Sequence, residues 1–286
     1  VVDADLSPER RFAGTKGQGL ATYKELIQNL STKSKPDGGA LPLILEKWIS
    51  GIQATVKAQT NESGDAFNHL VESQIFAVAG SLEGMVNGFE FAKAVVTYWK
   101  AYHQDDAAMK SNVLKWFRGE YASRKEAKED LGINFLVTDE NWYDMLKLFA
   151  AFLVGAGYKG MLVIIDELVN IFKIPNSITR ANNYEKILTM YNDVLQGKAR
   201  HIGFLMGGTV QCMEDKYKGV FSYEALRSRL AEGHFATADM KDLSAPIIRL
   251  QMLSQEEMYI LIEKLMNLHA QLYRYAPALS HDELVY

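Results

Sequence analysis

The stretch Gly160-Met161-Leu162-Val163-Ile164-Ile165-Asp166-Glu167 constrains the fold of this chain more than any other. A glycine opens five consecutive apolar residues, three of them β-branched, and two carboxylates end them. Such a run reads as a strand buried on both faces of a parallel sheet and ending at the sheet's carboxyl edge. Ligands of open α/β sheets bind at that edge. Two adjacent acids beside a dry strand are costly unless something positive compensates them, and a hydrated Mg²⁺ held between carboxylate and phosphate is one such partner. A strand end that only caps the next helix gives the same residues, so the surrounding chain has to decide.

Read with a nucleotide in place, the stretch has the Walker B form of a nucleoside triphosphatase. Asp166 would hold Mg²⁺ through water, and Glu167 would orient or deprotonate the attacking water. The chain is long enough for one large domain or one and a half. Its net charge of −4 argues against a surface that holds nucleic acid over its whole extent, and leaves room for a local basic patch. The single cysteine, Cys212, rules out an internal disulfide and a cysteine-rich metal site, and fits a reducing cytoplasm. No apolar run approaches the roughly 18 residues that span a bilayer, so the expected location is the cytoplasm with no membrane partner.

Along the chain, Val1 to Pro8 reads as a strand followed by a turn. No Gly-x-x-x-x-Gly-Lys-Ser/Thr occurs anywhere. Its nearest imitation, Gly14-Thr15-Lys16-Gly17-Gln18-Gly19, has its lysine misplaced and reads as a flexible lead into a helix from Leu20 to Leu30. From Leu41 to Asp130 the pattern is helical. The clearest helix carries Met85, Phe89, Ala92, Val95 or Val96, Trp99 and Tyr102 on one face as core residues. Arg124 to Asp130 mixes both signs, with Lys125 and Glu129 four apart, and reads as a solvated helix face. Asp139 can cap a helix through Trp142, Met145, Leu146, Phe149, Phe152 and Leu153 that closes at Gly155 and Gly157.

Beyond the acid-tipped strand, a helix through Tyr184 to Leu195 closes at Gly197, and His201 to Met206 reads as a second buried strand ending in Gly207-Gly208-Thr209. Helix and strand alternating in this way imply right-handed crossovers and a parallel sheet. Thr209 would then stand beside Asp166 and Glu167, either with its hydroxyl placing water near a terminal phosphate or as part of a tight turn. His201 and Cys212 have no partners at ligand spacing and read as structural. Ser222 to Leu230 suits a short helix whose Arg227 and Arg229 point to different faces. A projecting guanidinium could meet a neighbour's triphosphate, or it could form an ordinary surface salt bridge. A final strand, Pro246 to Leu250, leads to a capping box of Ser254 with Glu257 and a helix carrying Met258, Leu261, Leu265, Leu268 and Leu272.

This succession resembles the AAA+ ATPases. More closely, Asp3-Ala4-Asp5-Leu6-Ser7-Pro8, Asp166-Glu167-Leu168, Asn182-Asn183-Tyr184-Glu185, Gly207-Gly208-Thr209 and Tyr223-Glu224-Ala225-Leu226-Arg227-Ser228-Arg229-Leu230 resemble the ATP-binding proteins of bacterial phage-exclusion (BREX) islands, the BrxC/BrxD type, over nearly the whole length. The resemblance implies Asp166 and Glu167 as Walker B, Thr209 as the sensor, and Arg229 ahead of Arg227 as the arginine finger. It implies ATP and Mg²⁺ as cofactors, with further copies of the chain, other defence proteins and DNA as partners. It also places Walker A and its strand upstream of Val1. The expectation is therefore an excerpt of a longer protein, or a molecule that holds nucleotide in another way.

The expected fold is α/β, a three-layer parallel-sheet P-loop NTPase core of AAA+ type with an α-helical insertion and a partial helical lid. The core starts in residues 1–40, the insertion fills 41–138, the core resumes over 139–252, and the lid begins at 253–286. The expected function is an ATP-hydrolysing module of a phage-defence complex, coupled to remodelling of DNA or protein. A non-catalytic scaffold derived from such an ATPase is the alternative. A nuclease reading of Asp166 and Glu167 lacks the further acids and lysine it would need.

Overall fold

The computed structural model of the protein describes residues 1–80, 82, 86–230, 246–250 and 252–277. Chain contacts divide it into two units, Val1–Arg229 and Leu230–Tyr286.

The first unit is mixed α/β. Its elements in chain order are β1 (Val2–Asp5), α1 (Gln18–Gln28), α2 (Leu41–Gln59), α3 (Gly64–Gly80), α4 (Gly88–His103), α5 (Ala107–Phe117), α6 (Arg124–Leu131), α7 (Trp142–Gly155), β2 (Met161–Asp166), α8 (Val169–Phe172), α9 (Ser177–Leu195), β3 (Ile202–Met206), α10 (Val210–Glu214) and α11 (Glu224–Leu230). The three strands form one parallel sheet in the order β1-β2-β3. Val2 pairs with Val163 and Asp5 with Asp166, while Met161 pairs with Ile202 and Ile165 with Met206. The acid-tipped strand is therefore the middle one.

One face of this sheet is dry. Val2, Ala4, Met161, Val163 and Ile165 are buried on it, and Tyr143 of α7 meets Phe204 of β3 there at 6.3 Å. On the other face Leu162 is 41% and Leu205 51% exposed. The expectation of a strand buried on both faces is thus overturned. Period-two alternation sends Leu162, Ile164 and Asp166 to the opposite side from Val163 and Ile165, and no helical layer covers Leu162 and Leu205 among the described residues. Helices stack instead beyond the buried face. Phe149 and Phe152 of α7 meet Phe91 of α4 at 5.2 and 5.5 Å, and Phe152 also meets Trp48 of α2 at 5.3 Å. Apolar burial by these large rings, at about 25 cal/mol per Å², is what holds the helical segment to the rest of the unit.

Several local expectations shift. α1 starts at Gln18, two residues earlier than the apolar pattern indicates. Its lead-in is tied down: the Gln18 carboxamide accepts from Thr15 N–H at 2.9 Å and donates to the Pro8 carbonyl at 2.6 Å. On α4, Ala92, Val95, Val96 and Trp99 are buried, but Phe89 is 62% exposed, turned off the face that buries Gly88, Phe91 and Val95; Met85 lies outside the described residues. α6 has Ser123 as its cap and an exposed Lys125–Glu129 pair at 3.9 Å, as its charge pattern predicts.

In the second unit, α12 (Gln255–Tyr273) opens on the predicted capping box, Ser254 with Glu257. Pro246 to Leu250 form no strand; Ile248 and Leu250 are exposed there, with no neighbouring strand to pair with among the described residues. Met258, Leu261, Leu265, Leu268 and Leu272 lie exposed on α12 rather than facing a core.

Candidate functional site

The carboxyl edge of the sheet brings together the ends of all three strands. β2 stops at Asp166, whose Oδ1 accepts from the Glu167 N–H at 2.7 Å. Glu167 then adopts φ 61°, the left-handed region that costs a non-glycine residue of order 1 kcal/mol. The turn is fixed from both sides. Leu6 N–H donates to the Asp166 carbonyl at 3.1 Å, and Leu168 N–H to the Gly207 carbonyl at 3.0 Å. Asn170, one turn on, donates its amide to the Leu6 carbonyl at 2.7 Å and stitches β2's exit to β1's.

Both carboxylates are exposed. The sequence argument from a costly buried pair therefore weakens, because solvent reaches these acids. Neither is paired with a lysine or arginine among the described residues. Oδ2 of Asp166 carries no hydrogen bond there, so the pair keeps acceptor capacity for a hard, hydrated cation such as Mg²⁺.

Gly207 and Gly208 have steric reasons to be glycine. A Cβ on Gly207 would stand 2.4 Å from Asp166 Oδ1, and one on Gly208 would stand 2.7 Å from Cys212 Sγ. The backbone leaving β3 thus passes directly against the Asp166 carboxylate. Thr209 follows at this edge, but its hydroxyl is engaged: it accepts from Cys212 N–H at 3.2 Å as the cap of α10. Cys212 is buried beneath this turn, and burial pushes its thiol pKa up.

The two arginines part as the sequence predicts, though each bonds within its own chain. Arg227 pairs with Glu224 at 2.9 Å on the surface. Arg229 donates to Asn192 Oδ1 at 3.0 Å and to the Ala225 carbonyl at 2.8 Å, which holds it against α9. An exposed i,i+3 pair is the weaker tether, so Arg227 is the one more easily released.

Two residues to which the sequence reading assigns no role, one at the edge and one behind it on α9, matter here. Asp5 pairs in register with Asp166 and adds a third carboxylate to the rim; the alternation Asp3-Ala4-Asp5 is the signal, since it sets both acids on the face away from buried Ala4. Asn183 is fully buried on α9. Its carbonyl oxygen accepts from Phe12 and Ala13 N–H at 3.0 and 3.1 Å, and its amide donates to the Ala13 and Thr179 carbonyls at 2.7 and 2.8 Å. It locks the connection after β1 onto the helix between β2 and β3.

Asp139 has a different task from the one its position suggests. It accepts from Gly17 N–H at 2.5 Å and Leu20 N–H at 2.9 Å, capping α1 rather than α7, whose own cap residue Asn141 turns its side chain back to Thr138 N–H and the Leu136 carbonyl and caps no N–H of α7. The sequence places it three residues ahead of α7, whereas the fold turns its carboxylate to orphan N–H groups far away in the chain.

No helix among the described residues is long and apolar enough to cross a membrane, and they contain no group of three or more His, Cys, Asp or Glu able to hold a metal ion. A family model described as BREX system ATP-binding protein BrxC/D matches residues 1–286. No curated protein and no solved structure matches the chain.

Proposed function

Because the chain belongs to the family of the BREX system ATP-binding protein BrxC/D, we propose that its carboxyl rim is the metal-holding and water-activating half of an ATP site, on a P-loop core of AAA+ type. The observation that carries this reading is the close passage of Gly207 beside Asp166, which brings the end of β3 and the acid tip of β2 to one point of the rim. Asp166 would hold Mg²⁺ through water; the ion, when bound, neutralises phosphate charge. Glu167 accepts a proton from the attacking water and orients it. Thr209 fixes the backbone that follows β3. An arginine of α11 answers the γ-phosphate of a neighbouring copy; Arg229 and Arg227 both qualify, and the looser tether favours Arg227.

The described rim contains no glycine-rich phosphate loop, so the grip on the phosphates comes from another segment. On this reading the protein is a cytoplasmic, oligomeric ATPase module of an anti-phage defence complex, and hydrolysis drives remodelling of DNA or of partner proteins. The test is Glu167→Gln in the protein as expressed from its gene. ATP–Mg²⁺ binding should persist while phosphate release falls by about 10²–10⁴-fold, the usual worth of a general base. Turnover at the normal rate would remove Glu167 from this role.

A non-catalytic scaffold is the second reading. It draws support from the Thr209 hydroxyl being committed to a helix cap and from both arginines bonding within their own chain. Absence of labelled ATP–Mg²⁺ binding by the same full protein would favour it.

A further inference from the structure

A second site lies at the opposite end of the sheet, where the strands begin. Ser31 exchanges backbone bonds with Val1 ahead of β1, and Tyr158 stands two residues before Gly160 at the start of β2. Between them, closed by α2 and the end of α4, is a groove of about 810 Å³ lined by Thr32, Lys33, Ser34, Lys47, Tyr102 and Tyr158, among others.

The wall chemistry is specific. The Lys47 ammonium sits 3.9 Å from the centroid of the Tyr158 ring, and Lys110 sits 5.9 Å from that of Tyr102. Both rings are half-buried, which anchors them, while Lys33 and Lys47 are exposed and enter no salt bridge among the described residues. Thr32 and Ser34 hydroxyls lie 3.1 Å apart in a turn closed by paired backbone bonds between Thr32 and Lys35, so the polar wall is preformed. One acid, Glu46, also lines the groove, and it accepts from the Tyr98 hydroxyl at 3.3 Å.

Two anchored aromatic rings, two ammonium groups outside any salt bridge among the described residues and a hydroxyl-bearing turn match alternating flat bases and phosphates. Duplexes keep their base faces stacked inside, so rings of this kind are reached only by unpaired nucleotides. We propose that this groove binds single-stranded nucleic acid, with bases against Tyr102 and Tyr158 and phosphates at Lys33 and Lys47. The site goes beyond the rim reading and does not depend on it.

The experiment is fluorescence anisotropy of the purified protein with a labelled oligothymidylate, without nucleotide or divalent metal, so that its failure leaves the ATP reading untouched. Tyr158→Ala and Tyr102→Ala should each raise Kd by about 5- to 100-fold, and Tyr158→Phe should stay near wild type. Replacing Lys33 and Lys47 together by Gln should flatten the log–log salt dependence by about 1.4, at roughly 0.7 per phosphate on a single strand. Unchanged thermal unfolding of each variant excludes a folding artefact. The proposal is overturned if the wild type does not bind, if the alanine variants bind within twofold of it, if a duplex of equal length competes as well, or if thymidine monophosphate competes as well as the strand and so assigns the groove to mononucleotides.

Discussion

Asp5 and Asp166 stand opposite each other in register at the carboxyl ends of β1 and β2, and neither has a cationic partner among the described residues. Neighbouring strands lie about 4.8 Å apart, and like charges directly opposite oppose pairing by a few tenths to 1 kcal/mol. Asp5→Asn should therefore stabilise the protein by that amount in chelator. Added Mg²⁺ should stabilise the wild type more than the variant. Urea unfolding with and without Mg²⁺ measures both, and an equal Mg²⁺ response would separate Asp5 from any metal role.

Glu167 gives a second, opposite pairing of stability with function. Its φ of 61° is a conformation that glycine adopts without penalty. Glu167→Gly should leave stability unchanged or raise it by up to about 1 kcal/mol, the relief being partly offset by the glycine's greater freedom when unfolded. ATP hydrolysis by the same variant should be lost. A variant destabilised by 2 kcal/mol in chemical denaturation would mean that the Glu167 side chain supports the fold.

Removing the Asp139 carboxylate leaves two N–H groups of α1's first turn without their partner. Asp139→Ala should cost about 1 kcal/mol, within the 0.5–2 kcal/mol of helix caps. Asp139→Asn, which keeps an acceptor, should recover part of it. If instead the helicity lost belonged to α7, hydrogen exchange would show protection falling at Met145 to Phe149 and not at Ala21 to Lys24.

Acid should act through Glu126. Its hydrogen bond from Lys115, followed by backbone N–H bonds and the Lys115 charge, holds its pKa below the ordinary 4.5. A depressed carboxylate means that the unfolded chain binds the proton more readily, so its stabilisation is complete above about 4.5 and is lost as pH falls through the folded value. The Tm gap between wild type and Glu126→Gln should be widest above that pH and close below it. A gap constant from pH 7 to 3 would contradict the Lys115 contact.

Much of this architecture can be read from the chain because periodicity and punctuation agree locally. Gly160 before five apolar residues, Gly157 and Gly197 after helices, and Ser254 with Glu257 each mark a boundary that the structure keeps. The failures concern where an element's partners lie. Nothing local in Leu162 tells whether a layer covers it, and nothing local in Asp139 tells that its N–H donors come from α1. Pro246 to Leu250 has strand composition, yet a strand exists only where a neighbour offers a ladder. At the rim, Asp166 and Glu167 stand out in the sequence by their run-on from the strand. Asp5 and Asn183 do not, because their meaning lies in register and in bonds that reach across 170 residues.

The cap that Asp139 supplies to α1 reaches back 122 residues, from Asp139 to Gly17. During synthesis at about 5–20 residues per second, the ribosome releases α1 roughly 6–25 s before the aspartate that completes it. For that interval the Gly17 and Leu20 N–H groups lack their carboxylate, and a chaperone or a passing anion could occupy them. A shortened protein that excises the helical segment 41–138 would keep Asp139, and its new junction would have to bring that carboxylate to the same spot.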